Sequence, residues 1–163
     1  MAKSSVRIRP GTARDVPAIL KLIRALAKYE RLTAGLRLNA KRMRRDAFGR
    51  RLCETLLATR DGRPIGYAIY YFGYSSFTCR PFLLLEDIFV LPGERGKGTG
   101  MALMSAVARV AIRKKCEQME WIVLDWNAPA IRFYRRLGAR IDKPWRLTRL
   151  TGAGLRRLAR HRT

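Results

Sequence analysis

The chain has 163 residues, of which 35 are Lys or Arg and 12 are Asp or Glu, a formal charge of +23. That length suits one domain with its own core, and 48% hydrophobic residues beside 29% charged exclude both a disordered tail and a membrane-spanning chain. The charge favours anionic partners and leaves three readings open: nucleic-acid or ribosome binding, a basic surface serving a polyanionic cofactor and acidic substrates, or an Arg-rich composition with no dedicated role.

Along the chain, Val6–Arg9 alternates and reads as a short strand ended by Pro10 and Gly11. Thr12 and Asp15 have capping-box spacing. Val16, Ile19, Leu20, Ile23, Leu26 and Ala27 then form a helical stripe to about Tyr29. Asn39 can cap a second, shorter helix to about Phe48. From Arg31 to Arg51 there are eight basic residues and one acid, Asp46, a pattern usually explained by a solvated face. Glu54–Arg60 and Ile65–Phe72 read as a hairpin around Asp61-Gly62, the best turn signal in the chain. Gly73–Arg80 reads as a polar loop.

Cys53, Cys79 and Cys116 are isolated, with no Cys-x-x-Cys pair, so zinc and thioredoxin-like chemistry are not expected, and no metal is. Such cysteines behave as small buried hydrophobes in a reducing compartment. The N-terminus meets a strand pattern at once, which argues against a signal peptide and for a cytoplasmic protein. The one histidine, His161, is the third residue from the end, so a Ser-His-Asp or Cys-His mechanism would depend on a terminal side chain.

The centre of the sequence is Leu83–Met101, LLLEDIFVLPGERGKGTGM. Leu83–Leu91 reads as a buried strand interrupted by Glu86 and Asp87. Pro92 and Gly93 end it. Arg95-Gly96-Lys97-Gly98-Thr99-Gly100 follows, and Leu103, Met104, Val107, Val110 and Ala111 then mark one face of a helix. Glycines admit positive φ and close approach, and the first N–H groups of a helix lack partners, so strand, turn and helix in this order form a phosphate site. The spacing is neither the Walker A pattern nor Gly-x-Gly-x-x-Gly. Further on, Met119–Asp125 reads as another buried strand. Asn127 and Pro129 start a helix carrying Ile131, Phe133, Tyr134 and Leu137, which Gly138 stops. Ile141–Leu150 reads as one or two short strands around Pro144, and Leu155–Arg162 as a basic terminal helix. The order predicts a single α/β domain over 1–163, with a mixed central sheet of roughly six to seven strands and helices on both faces.

Arg95, Gly98 and Gly100 after Glu86-Asp87-Ile88-Phe89-Val90 resemble the acetyl-coenzyme A signature of the GNAT superfamily of N-acetyltransferases. Arg7-Ile8-Arg9-Pro10, Tyr29-Glu30, Tyr70-Tyr71-Phe72 and Asn127 through Ala139 look most like its spermidine/spermine (diamine) branch. The resemblance implies the GNAT fold, a homodimer, and direct acetyl transfer from acetyl-coenzyme A to a primary amine of a small molecule. It implies that Arg95, Gly96, Lys97, Gly98, Thr99 and Gly100 hold the pyrophosphate. Ile88, Phe89 and Val90 would hold the pantetheine arm, the amide of Phe89 or Val90 polarising the thioester carbonyl. Asn127 would touch the coenzyme, and Tyr134 would reach its sulfur as the acid. Tyr29, Glu30, Glu86 and Asp87 would receive the amine, with Glu86 binding it or, through water, taking its proton.

The residues alone allow blander roles: Tyr134 as an amphipathic core tyrosine, Asn127 as a cap only, Tyr29-Glu30 as a fraying helix end, and one of Glu86 and Asp87 as a solvated residue, since adjacent strand positions face opposite sides. The departure from the polyamine enzymes is the Arg cluster after Glu30, where they are acidic. It points to a lysine-like or amino-acid-like acceptor. The rival is a basic nucleic-acid- or ribosome-associated protein of the same fold, or a protein N-acetyltransferase.

Overall fold

The computed structural model describes residues 5–142 and 146–161. They form two compact units, Met1–Ile122 and Val123–Thr163.

The first unit is built on a five-stranded sheet in the order β1 to β5: β1 (Arg7–Pro10), β2 (Glu54–Arg60), β3 (Arg63–Ser75), β4 (Arg80–Val90) and β5 (Met119–Glu120). The first four strands run antiparallel, and β5 lies parallel to β4. Asp61 and Gly62 both take positive φ, 49° and 76°, the twist that joins β2 to β3 tightly. Half of the stretch read as a polar loop is instead ladder: Gly73, Tyr74 and Ser75 pair with Phe82, Pro81 and Arg80, and 76–79 form the turn.

Helices cover both faces. α1 (Val16–Tyr29) starts where Arg9 grips Asp15 through two 2.7 Å bonds, while Asp15 also accepts from the Thr12 amide and hydroxyl at 2.8 Å. Its apolar stripe, Ile19, Leu22 and Leu26, packs with Leu57, Tyr67, Ile69 and Phe89. α3 (Thr99–Arg113) lies on the opposite face, where Gly66 leaves space: a Cβ there would stand 3.4 Å from Leu103 and 2.7 Å from the Phe89 carbonyl oxygen. Between them, Asn39 caps α2 (Ala40–Met43), which runs into a π-helical turn over Arg44–Gly49. Its inner side, Met43 and Phe48, packs against the α1 cluster.

Two expectations about strands are corrected. The strand expected over Met119–Asp125 is limited to Met119–Glu120: its parallel ladder with β4 ends at Leu84, just before the irregularity in β4 at Glu86. Ile141, Asp142 and residues 146–150 form no strand; their ladder groups find no neighbouring strand among the described residues, and Pro144 lies outside them. The sheet thus has five strands among the described residues, not six or seven. The second unit holds α4 (Ala128–Arg136) and α5 (Gly152–Ala159), the latter shifted about one turn toward the N-terminus from the expected Leu155–Arg162; Arg162 is outside the described residues.

Candidate active site

The site begins with an irregularity in β4. Asp87 pairs with Ile69 and Leu85 with Tyr70, so Glu86 is an extra residue opposite the Ile69–Tyr70 junction. Such a bulge breaks strict alternation and re-aims side chains. Glu86 and Asp87 therefore do not separate to opposite faces. Tyr67 donates its hydroxyl to Asp87 Oδ2 at 3.0 Å. Burial pushes that phenol above the ordinary tyrosine range, and Asp87, Glu30 and Glu86 add to the effect. Glu86 is exposed and accepts from the Tyr71 hydroxyl, whose pKa is raised by burial and by Glu86. Asp87 is half-buried. Burial raises its pKa, the Tyr67 hydrogen bond opposes this, and the charge of Glu86 adds to it. Glu30, just past the end of α1, is raised by burial and then by Asp87. Three carboxylates thus converge on the α1 face of β4, Glu86 disfavouring the ionisation of Asp87 and Asp87 that of Glu30, an arrangement that an ammonium group relieves.

The second feature is a strand edge that has no ladder partner among the described residues. β5 accompanies β4 only as far as Leu84. The Leu91 amide donates to Ile65 at 2.9 Å, so position 91 faces β3. The preceding residue faces the other way: the Val90 carbonyl is taken by Arg95 Nε at 3.0 Å. By alternation the amides of Ile88 and Val90 turn to the open edge, and that of Phe89 turns to β3. An extended ligand chain can add there as a strand would.

The third feature is the turn into α3. Gly96 and Gly98 have φ of 72° and 82°, and a Cβ at either would meet nothing within 4 Å. The first intrahelical bond runs from Ala102 N to the Gly98 carbonyl. The preceding amides of the helix start have no partner within it. Thr99, 1% exposed, keeps a buried Oγ1 with no hydrogen-bond partner among the described residues. Open space, orphan donors and the helix dipole suit a pyrophosphate. Lys97 lies 3.5 Å from Glu94, which is also held by Arg60 at 2.9 Å. Arg95 does not extend into the turn. Its guanidinium lies 4.5 Å from the Tyr29 ring centroid and 5.4 Å from that of Phe89.

In the second unit, the Asn127 side chain accepts from the Ala130 amide at 3.3 Å and so caps α4. Tyr134, one of its most buried residues, has its ring 5.6 Å from that of Phe133. The structure brings together Tyr29, Glu30, Glu86, Asp87, Ile88, Phe89, Val90 and Arg95 within the first unit, next in the chain to the glycine turn. Sequence reasoning missed Tyr67, which orients Asp87. Its partner becomes visible only from the β3–β4 register, which places it beside Phe89.

All eight cations between Arg31 and Arg51 are exposed. Arg45 and Arg50 approach Asp46 at 2.7 and 3.6 Å, and Arg37 bonds to backbone carbonyls. The segment that carries them leaves from Glu30 and returns at Cys53, whose thiol is pushed up by burial, by Asp46 and by Glu86.

Comparison with known proteins agrees with this geometry. Residues 17–139 match the Acetyltransferase (GNAT) family. A thialysine N-epsilon-acetyltransferase of Sus scrofa is 39% identical over 170 residues, covering 96% of this chain and 98% of that one. An L-ornithine N5-acetyltransferase of Arabidopsis thaliana is 43% identical over 90 residues, 55% of this chain and 40% of that one. Among solved structures, an integron cassette protein from the mobile metagenome of V. cholerae has a TM-score of 0.77 at 22% identity, covering 98% of this chain and 100% of that one, a likeness of fold.

Proposed function

The chain belongs to the GNAT family of acetyltransferases, and from that premise we propose that it acetylates the terminal amine of a lysine-like small molecule, with acetyl-coenzyme A as co-substrate. The observation that carries this reading is the convergence of Glu30, Glu86 and Asp87 on one face of β4, whose edge beyond Leu84 has no ladder partner among the described residues. The turn amides from Gly96 to Gly100, with Lys97, hold the pyrophosphate, and the Ile88–Val90 edge takes the pantetheine arm. Strand alternation favours Val90 over Phe89 as the donor to the thioester carbonyl. Asp87 and Glu30 receive the substrate ammonium beside Tyr29. Glu86, the exposed member, takes the ammonium proton through water and so frees the lone pair. The amine nitrogen then bonds to the carbonyl carbon, the carbon–sulfur bond breaks, and the nitrogen loses its surplus proton to solvent, from which the acid that protonates the sulfur is restored. By the family motif, Tyr134 donates its hydroxyl proton to the departing sulfur, and Asn127 contributes to coenzyme binding.

The acceptor class follows from charge. A polyamine carries several cations along its length, and the segment leaving Glu30 is lined with exposed Arg and Lys. A like-charge encounter at close range costs about 1 kcal/mol even in water. A lysine-like acceptor brings one ammonium to the carboxylates, and its far end, a zwitterion of no net charge, turns its carboxylate to the basic segment. Relatives named for thialysine and for ornithine support the same class. The test is thiol release from acetyl-coenzyme A with thialysine, lysine, ornithine and spermidine at low and high salt. The amino-acid amines should exceed spermidine in kcat/KM by about tenfold, the equivalent of 1.4 kcal/mol. Spermidine winning at low salt would refute the acceptor assignment.

A further inference from the structure

We infer that Arg95 is a positioning residue that ties the acceptor wall to the thioester-binding strand, rather than a phosphate ligand; this rests on the acetyl-transfer reading above. Three contacts carry the inference. Nε of Arg95 donates to the Val90 carbonyl at 3.0 Å. Its guanidinium carbon lies 4.5 Å from the centroid of the Tyr29 ring. It lies 5.4 Å from the centroid of the Phe89 ring. Cation–aromatic contact at these distances is attractive, and a planar guanidinium can stack on a ring while also donating through Nε. One side chain thus touches the last residue of α1, beside Glu30, and two consecutive residues of β4.

The geometry has a direct consequence for the reaction. Val90 is held on both sides: its carbonyl by Arg95, and the following amide, that of Leu91, by the Ile65 carbonyl at 2.9 Å. That pairing keeps the Val90 N–H directed to the open edge of β4. The same guanidinium fixes the Tyr29 ring, one wall of the acceptor position, relative to that edge. Alignment of amine and carbonyl is the main contribution a direct-transfer enzyme makes, and a displacement of about 1 Å can cost a hundredfold in rate. The turn glycines and the start of α3 supply the phosphate site without this guanidinium.

Arg95→Lys separates the two roles. Lysine keeps a positive charge at the turn but has no planar fork and no Nε–H donor. Coenzyme A affinity by calorimetry should stay within about threefold, while kcat/KM for the amine at saturating acetyl-coenzyme A falls about ten- to a hundredfold. Tyr29→Leu should lower kcat/KM too, and the double variant should be little worse than the poorer single variant, because both break one unit. If Arg95→Lys weakens coenzyme A binding tenfold and leaves amine kinetics unchanged, the residue is a phosphate ligand and the inference is wrong. Fully additive losses would also overturn it. Hydrogen exchange at the Leu91 amide gives a readout independent of turnover: Arg95→Lys should speed it about tenfold, and unchanged exchange would refute the clamp. A wild-type protein that acetylates no amine in the panel would instead defeat the acceptor reading, with the exchange result still deciding the clamp.

Discussion

Tyr67→Phe isolates the hydrogen bond from the Tyr67 hydroxyl to Asp87. The ring is fully buried, so the variant keeps its packing and loses only the hydroxyl that donates to Asp87 at 3.0 Å. A hydrogen bond to a charged group contributes about 1.5–3 kcal/mol, a neutral one about 1 kcal/mol. The difference, roughly 1–2 kcal/mol, falls on the ionised form of Asp87, and about 1.4 kcal/mol is one pH unit. Asp87 already titrates above the ordinary carboxylate range because it is buried and faces Glu86. Removing the donor moves it further up by about one pH unit. The sign is fixed by linkage. A carboxyl whose pKa is raised on folding contributes stability below its unfolded value and loses it as pH rises through the folded value. The penalty of Tyr67→Phe should therefore be larger at pH 8 than at pH 4, by roughly 1–2 kcal/mol in urea unfolding. The acidic limb of kcat/KM for the amine should move up by about one pH unit. Equal destabilisation at both pH values, together with an unmoved limb, would show that Asp87 is not the group that binds the ammonium in its ionised form.

Gly98→Ala and Gly98→Glu should cost similar stability, about 1–2 kcal/mol for an L-residue in the left-handed region, since a Cβ at Gly98 meets no neighbour; calorimetry should show coenzyme A binding abolished in the Glu variant, and unchanged affinity there would remove the turn from the phosphate site. Tyr134→Phe should lose roughly a hundredfold in turnover at constant acetyl-coenzyme A affinity, and equal rates would make Tyr134 a core residue. Asp15→Asn should cost about 1–3 kcal/mol at pH 7. The Arg9 hydrogen bond holds Asp15 far below the usual carboxylate range, so this contribution is present above the unfolded pKa of about 4 and is lost as pH falls. The gap between variant and parent should narrow progressively in urea unfolding as pH falls below about 4, and a gap independent of pH would refute the ion-pair account.

Local chemistry made several elements legible in the sequence. The stripe from Val16 to Ala27 has helical period, Asp61-Gly62 admits the positive φ of a tight hairpin, and Asn127 and Pro129 both suit a helix start; each signal depends on residues within one or two turns of one another. The glycine turn was readable for the same reason, as φ of 72° and 82° at Gly96 and Gly98 is a local demand. The motif around it also identified the family. Tertiary structure decided what depends on pairing between distant residues. Where β5 stops is a matter of its ladder with β4, which ends at Leu84 and Glu120 and which no periodicity in Met119–Asp125 reveals. Alternation within β4 placed Glu86 and Asp87 on opposite faces; the bulge against Ile69 and Tyr70 brought both to bear on Tyr67. Arg95 read as a phosphate ligand from its place in the turn, but its long side chain reaches back to Val90 and Tyr29, because the carbonyl and ring that attract it come together only when α1 packs on the sheet.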